Sequence, residues 1–135
     1  MARIYSLAAG TSLTEEILKI AEREKIKTAR FEAIGGVNKL RLAYFNHHTK
    51  KYEEHDYEEF LDVTGMLGNI TQKDGKPFLH AHCTLGRRDM SVIGGHLVSA
   101  TVFPLLEVVI TPTKNEARRR FDDELGLNVI YKVQD

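Results

Sequence analysis

The amino-acid sequence predicts one α+β domain spanning residues 1–135, with a mostly antiparallel β-sheet, a long N-terminal helix and a short C-terminal helix. Three observations predict this class. The 135 residues are the usual length of a single domain. Many short apolar runs end in turn residues, which is typical of antiparallel strands. Two segments have the capping-box spacing of a helix start, Ser12 to Glu15 and Thr113 to Glu116.

The first strand and the first helix are predicted near the N-terminus. Arg3 to Ala8 has the composition of a strand, and Gly10 follows it. We expect a helix from Ser12 to about Lys25, because apolar residues then recur at helical spacing and can pack on a sheet. These apolar residues are Leu13, Ile17, Ile20 and Ala21.

Short strands are predicted through the middle of the chain, because apolar and polar residues alternate there. Clusters of glycine, asparagine and proline separate them. We expect Gly35-Gly36 to end one of these strands and Pro104 to interrupt the last. The expected strands are Thr28 to Ile34, Lys39 to Tyr44, Lys51 to Tyr57, Glu59 to Thr64, Phe78 to Leu85 and Ala100 to Thr111.

A second, short helix is predicted from about Lys114 to Leu125. The second capping box would begin it, and Gly126 suits a helix C-cap. Such a helix would carry basic and acidic residues that form ion pairs on its surface, which favours local pairing over phosphate contact. These residues are Arg118, Arg119, Arg120, Asp122, Asp123 and Glu124.

The charge balance and the cysteine content limit the function. Nineteen basic residues balance nineteen acidic ones, whereas proteins that bind phosphate backbones usually have a basic surplus. The only cysteine, Cys83, excludes an internal disulfide and suits a reducing compartment. The chain shows neither a signal peptide nor a membrane-spanning apolar run. We therefore expect a cytoplasmic protein with no membrane partner.

The segment from Phe78 to Leu85 contains the residues best suited to chemistry. Strand side chains alternate between two faces, so His80 and His82 share one face and can converge on one ion. Leu79, Ala81 and Cys83 occupy the apolar face. Cys83 is therefore interpreted as a small buried residue and not as a ligand.

A third candidate ligand, His96, follows Gly94-Gly95. A glycine pair lets the backbone bend or approach another strand closely, which would bring His96 to His80 and His82. Three neutral imidazoles with an open fourth position are the usual layout of an accessible zinc site. Nitrogen ligands also suit nickel, copper or iron, and spacing alone equally permits a plain pair of exposed histidines.

The remaining histidines and the acidic stretch have simpler interpretations. His47, His48 and His55 lie on or beside a polar hairpin, so we expect them to face solvent. A solvated strand edge explains the clustered acids better than a general acid–base pair does. These acids are Asp56, Glu58, Glu59 and Asp62.

Several motifs, in this order, resemble the plants and prokaryotes conserved (PPC) domain. The resemblance runs from about Tyr5 to Thr111. The similar segments are Gly35-Gly36-Val37, Ala43-Tyr44-Phe45, Tyr52-Glu53-Glu54, Gly68-Asn69-Ile70, Pro77-Phe78-Leu79-His80-Ala81-His82 and Gly94-Gly95-His96-Leu97.

The resemblance implies a strongly curved sheet and a homotrimer. In similar prokaryotic members, the residues that match His80, His82 and His96 surround a metal, commonly zinc. The family is often labelled as DNA-binding, and its plant members carry the domain behind AT-hooks. This chain has no AT-hook and no basic surplus, so the DNA-binding label transfers poorly.

Three hypotheses of function remain. The first is a trimeric regulatory module that associates with DNA or with other proteins. The second is a small metalloenzyme or metabolite-binding protein, in which the metal polarises a carbonyl or activates water beside a base such as Glu32 or Glu107. The third is a purely structural metal, which is the weakest because structural sites usually need four protein ligands.

Overall fold

The protein is mostly β-sheet. The structure, a computed structural model that describes residues 1–135, has 68% of the chain in strands and 8% in a single short helix. The predicted α+β class with two helices is therefore wrong. The elements are β1 Arg3–Ala8, α1 Leu13–Arg23, β2 Ala29–Asn46, β3 Lys51–Tyr57, β4 Leu61–Lys73, β5 Lys76–Gly86, β6 Val92–Pro112, β7 Glu116–Asp122 and β8 Leu127–Gln134.

The eight strands form one sheet in which the central strands close into a ring. The order is β3-β2-β6-β5-β4-β7-β8, and an additional pairing joins β2 to β4. This pairing returns the sheet to its own second strand, so β2, β6, β5 and β4 enclose an apolar interior. β1 pairs with the C-terminal half of β6. The β7–β8 hairpin is attached through a short parallel pairing of β7 with β4.

The N-terminal helix packs its apolar stripe into the core. Its members Leu13, Ile17, Ile20 and Ala21 are buried as their spacing predicts. Ser12 caps the helix by accepting a hydrogen bond from the Glu15 amide at 3.4 Å. The helix has 11 residues and ends at Arg23, so it is shorter than expected. No helix is long and apolar enough to cross a bilayer.

The predicted C-terminal helix is absent, and β7 occupies most of its sequence. Ala117 and Arg119 alternate with more exposed neighbours and are 5% and 8% exposed. The Ala117 amide donates to the Thr28 hydroxyl at 2.9 Å, a contact between distant segments. Gly126, with φ of +73°, lies in the β7–β8 turn and not at a helix end. Strand pairing with β8 and the contact with Thr28 thus override the local capping signal.

Two predicted strand breaks are also wrong, since β2 and β6 run through them. The register of the β2–β6 pair shifts between Gly35 and Val37, so the irregularity is absorbed as a bulge. Gly35 has φ of +143°, and a side chain there would meet the Leu105 carbonyl oxygen. Pro104 falls between the paired residues Val102 and Leu106 and has no partner of its own in β2. The N–H group that proline lacks is therefore not needed for this strand pairing.

Candidate metal centre

Strand β5 presents His80 and His82 on its outer face. Ala81 and Cys83 alternate with them and are buried at 2% and 5% exposure. The predicted division of faces is therefore confirmed. The Nε2 atoms of His80 and His82 lie 3.3 Å apart, so the two rings converge above the strand.

Strand β6 brings His96 to the same place. His96 is the direct cross-strand partner of His82 in the β5–β6 pair. The centroid of its ring lies 5.6 Å from that of His80 and 5.5 Å from that of His82. One ring nitrogen from each histidine lies within 4.8 Å of the others. The three histidines singled out from the sequence therefore form one cluster that could hold a metal ion.

The close approach of β5 and β6 explains Gly94, the first residue of the glycine pair before His96. A Cβ atom at Gly94 would lie 2.8 Å from the Cys83 carbonyl oxygen, which is too short for a stable contact. Gly94 has no positive φ. Glycine here permits close approach of the two strands, one of the two roles expected for this pair.

The donor set fits a divalent transition metal. The Nδ1 atom of His96 is buried without a hydrogen-bond partner, a rare condition that an ion bound at this nitrogen would relieve. Burial, with a smaller effect of the Arg119 charge, lowers the pKa of His80 to about 4. Burial also lowers the pKa of His96. Both rings are thus held in the neutral form that coordinates metals.

Tyr52 covers one side of the cluster. Its ring stacks on His96 with centroids 4.7 Å apart and an interplanar angle of 27°. Burial raises the pKa of Tyr52, which keeps the phenol protonated. Tyr52 was missed as a site residue, although it belongs to one of the segments that resemble the PPC domain.

Arg119 lies beside the cluster on the adjoining hairpin. Its Nε donates to the Thr71 hydroxyl at 2.9 Å and its Nη2 to Asn69 Oδ1 at 3.0 Å. Its Nη1 donates to the main-chain carbonyl of Asn128 at 2.9 Å. From the sequence, Arg119 was assigned to ion pairs on the surface of a predicted helix, so it was not recognised as a residue of the site. The sequence carries no signal that singles it out, because Arg118, Arg119 and Arg120 are alike and only their burial in β7 alternates.

The two candidate bases do not join the histidines. Glu32 forms an ion pair with Arg30, and Leu67 of β4 separates it from His82 in the register of the sheet. Glu107 pairs with residues of β1 and β2 and takes no part in the cluster. The hypothesis that either acts as a base at the metal has no support in this geometry.

The other polar candidates also lie outside the cluster. His47, His48 and His55 are exposed, as predicted. The acidic stretch is exposed as well, and Asp56 pairs with Arg41 at 2.7 Å. Cys83 faces the core, and burial raises the pKa of its thiol to about 11, so it stays protonated and is no ligand.

The family follows from comparison with known sequences. The profile of the Plants and Prokaryotes Conserved (PCC) domain matches residues 2–114. The chain belongs to the PCC domain family. This is the family abbreviated PPC above. No curated protein matches the sequence of this chain.

Solved structures with the same fold include other PCC-like proteins. A metal-containing protein of Archaeoglobus fulgidus is 34% identical, with a TM-score of 0.93 over 98% of this chain and 94% of that chain. A protein of Bacteroides thetaiotaomicron with a provisional DNA-binding name is 29% identical, with a TM-score of 0.91 over 96% and 90%. A plant- and prokaryote-conserved protein of Pyrococcus horikoshii is 27% identical, with a TM-score of 0.91 over 99% and 93%.

Proposed function

We propose that this PCC-domain protein binds one divalent transition metal, zinc in the first place, through His80, His82 and His96, and presents it to a small ligand. The observation that supports the proposal is the convergence of three imidazoles, with one ring nitrogen of each within 4.8 Å of the others. The Nδ1 atom of His96 is also buried without a hydrogen-bond partner. The similar protein of Archaeoglobus fulgidus, which contains a metal, supports the proposal.

Three protein ligands favour a metal with an open position. Zinc sites that bind substrate or water usually have three protein ligands, whereas structural sites have four. A bound ion would supply Lewis acidity to its ligand. Nickel, copper and iron accept the same nitrogen donors, so competition between metals has to decide the identity.

A homotrimer is the proposed assembly. Large apolar side chains lie exposed on the outside of the protein, where Phe60 of the β3–β4 loop meets Phe103 of β6 edge to face. Their ring centroids are 6.4 Å apart. Exposed patches of this kind mark protein–protein contacts. The patch consists of Ile34, Phe60, Phe103 and Leu105, which are 55%, 49%, 45% and 43% exposed.

Association with DNA is the second candidate, and the provisional name of the Bacteroides thetaiotaomicron protein is what favours it. The charges of this chain argue against strong binding. Basic and acidic residues balance at nineteen each. In the basic run of β7, Arg118 pairs with Glu116 at 3.1 Å and Arg120 stacks on Tyr131. These arginines are thus already engaged within the protein.

Elemental analysis tests the metal-binding proposal. Protein purified without chelators, or reconstituted after chelation, should contain one transition-metal ion per chain. Replacing His80, His82 or His96 with alanine should abolish that stoichiometry. A folded wild-type protein that retains no metal at equimolar zinc would overturn the proposal. If metal is bound, competition among zinc, nickel, copper and iron salts would rank the affinities of the site for these metals.

A further inference from the structure

Arg119 carries a buried charge that no acidic residue balances. Its side chain is 8% exposed, and its three hydrogen-bond partners are a hydroxyl, an amide and a main-chain carbonyl, all neutral. None of the ion pairs in the structure includes Arg119. A buried cation is normally paired with an anion, because its desolvation is costly.

The charge lies next to the proposed metal site. Asn69, which accepts from Arg119 Nη2, is the cross-strand partner of His80. The guanidinium also lies over the ring of Phe78, 5.4 Å from its centroid, two residues before His80 on the same strand face. Asn69 and Thr71, the side chains that hold Arg119, line the groove that contains His80 and His82.

Arg119 itself lines the adjoining groove, together with Arg118 and Arg120. The surroundings of the histidines therefore combine positive charge with free donors. A guanidinium has five N–H groups, and the three hydrogen bonds of Arg119 use three of them. A divalent ion on three neutral histidines would add two more positive charges, and no carboxylate belongs to the ligand cluster. Guanidinium groups bind carboxylate and phosphate oxygens through charge-assisted hydrogen bonds.

We propose that the ligand of this site is a small oxyanion, a carboxylate or a phosphate, which binds the metal through one oxygen and is held by Arg119 through another. Arg119 is then a binding residue of the site and sets its selectivity for anions over neutral ligands. The inference rests on the proposed metal site at His80, His82 and His96, whose ligand class it specifies.

Cobalt(II) provides the test, because its visible spectrum reports both metal binding and the entry of a further ligand. Cobalt-loaded wild-type protein would be titrated separately with oxalate and with inorganic phosphate. The spectrum should change with at least one of them, and the stronger response identifies the source of the oxyanion. In Arg119→Gln, cobalt binding should persist, whereas the affinity for the anion should fall about 10-fold or more.

Two further variants make the result specific. Arg120→Gln removes the neighbouring charge, which is exposed and stacked on Tyr131, and should leave the anion affinity unchanged. Arg119→Lys keeps the charge without the planar fork, so its affinity should fall about 3-fold or more. It takes the place of Arg119→Gln if the latter does not fold.

The possible failures are distinguishable. A folded wild-type protein without cobalt bands overturns the metal site and, with it, this inference. Cobalt bands that neither anion alters overturn the inference alone. The same holds if wild type and the Arg119 variants bind the anion equally, or if Arg120→Gln weakens binding as much as they do.

Discussion

His82 and His96 are direct partners across β5 and β6, with their ring centroids 5.5 Å apart. The register of one strand pair therefore sets the distance between two of the three proposed ligands. A slip of one residue would move His96 to the opposite face of the sheet. The buried residues on the opposite face of β5, Ala81 and Cys83, fix this register. The histidines can therefore be replaced without changing the side chains that specify the strand pairing.

His82→Ala should abolish stoichiometric metal binding and leave the protein folded. His82 is exposed, so its removal should change the free energy of unfolding of the metal-free protein by less than about 0.5 kcal/mol. Changes in groups that merely support a ligand lower metal affinity 10- to 100-fold, so loss of a ligand should lower it by at least about 100-fold. Metal titration and denaturant unfolding in a chelator measure the two effects.

His55→Ala is the matched control, because His55 is exposed on β3 and lies outside the cluster. It should bind metal like the wild type. Equal loss of metal from both variants would mean that binding is unspecific. Retention of full affinity in His82→Ala would remove His82 from the ligand set.

The stability of the metal-free protein should fall as the pH is lowered from about 6.5 towards 4. Burial lowers the pKa of His80 from 6.5 to about 4, so in this window the unfolded chain binds a proton that the folded protein does not. Protonation then favours unfolding, and stability is lost as the pH falls. His80→Gln should lose less stability than the wild type between these pH values. Urea unfolding in a chelator at several pH values measures this, and equal losses in the two proteins would contradict it.

The local pattern of β5 was enough to predict two of the three proposed ligands. Alternation assigns His80 and His82 to one face and Cys83 to the other, because period two needs no knowledge of neighbouring strands. The place of His96 depends on the pairing of β5 with β6, which the spacing of residues does not contain. The preceding glycine pair made His96 a candidate, and the family resemblance supplied its pairing with the other two histidines. The structure brings it to the cluster.

The C-terminal segment shows why the rest was not predicted. The spacing from Thr113 to Glu116 imitates a capping box, but the deciding interactions come from distant residues. Thr28 accepts from the Ala117 amide, and Thr71 accepts from Arg119. Such contacts stabilise a strand in which alternate residues are buried. The same error left Arg119 out of the site, because it was interpreted with its acidic neighbours as part of the ion pairs on a helix surface.

The protein should bind generic duplex DNA weakly at physiological salt. Its balanced charge gives no surplus of cations to release counterions from a phosphate backbone. Fluorescence anisotropy of a labelled duplex at about 0.15 M salt should give a dissociation constant no tighter than the roughly 10⁻⁴–10⁻⁶ M of non-specific binding. Tight binding with a steep salt dependence would show that assembly creates a basic surface which the single chain lacks.

The protein should be a homotrimer in solution, with a mass near three times that of the 15.3-kDa chain. The proposed contact uses Phe103 and Leu105 on the outer face of β6, while Val102 and Leu106 beside them are fully buried in the core. Covering apolar side chains at an interface stabilises the assembly by about 25 cal/mol for each Å² removed from water. Sedimentation velocity at micromolar concentration measures the mass, and a monomer would contradict the proposal.

Phe103→Lys tests the surface that mediates this assembly. In the single chain Phe103 is 45% exposed, so lysine can reach solvent there and the monomer should still fold. At an interface the same ammonium group would be desolvated without a partner, so the variant should sediment as a monomer. Val133→Lys is the matched control, since Val133 is 58% exposed on β8, at the end of the strand order away from β6. A trimer in both variants would place the interface elsewhere, and dissociation of both would show that added charge, not the loss of Phe103, separates the chains.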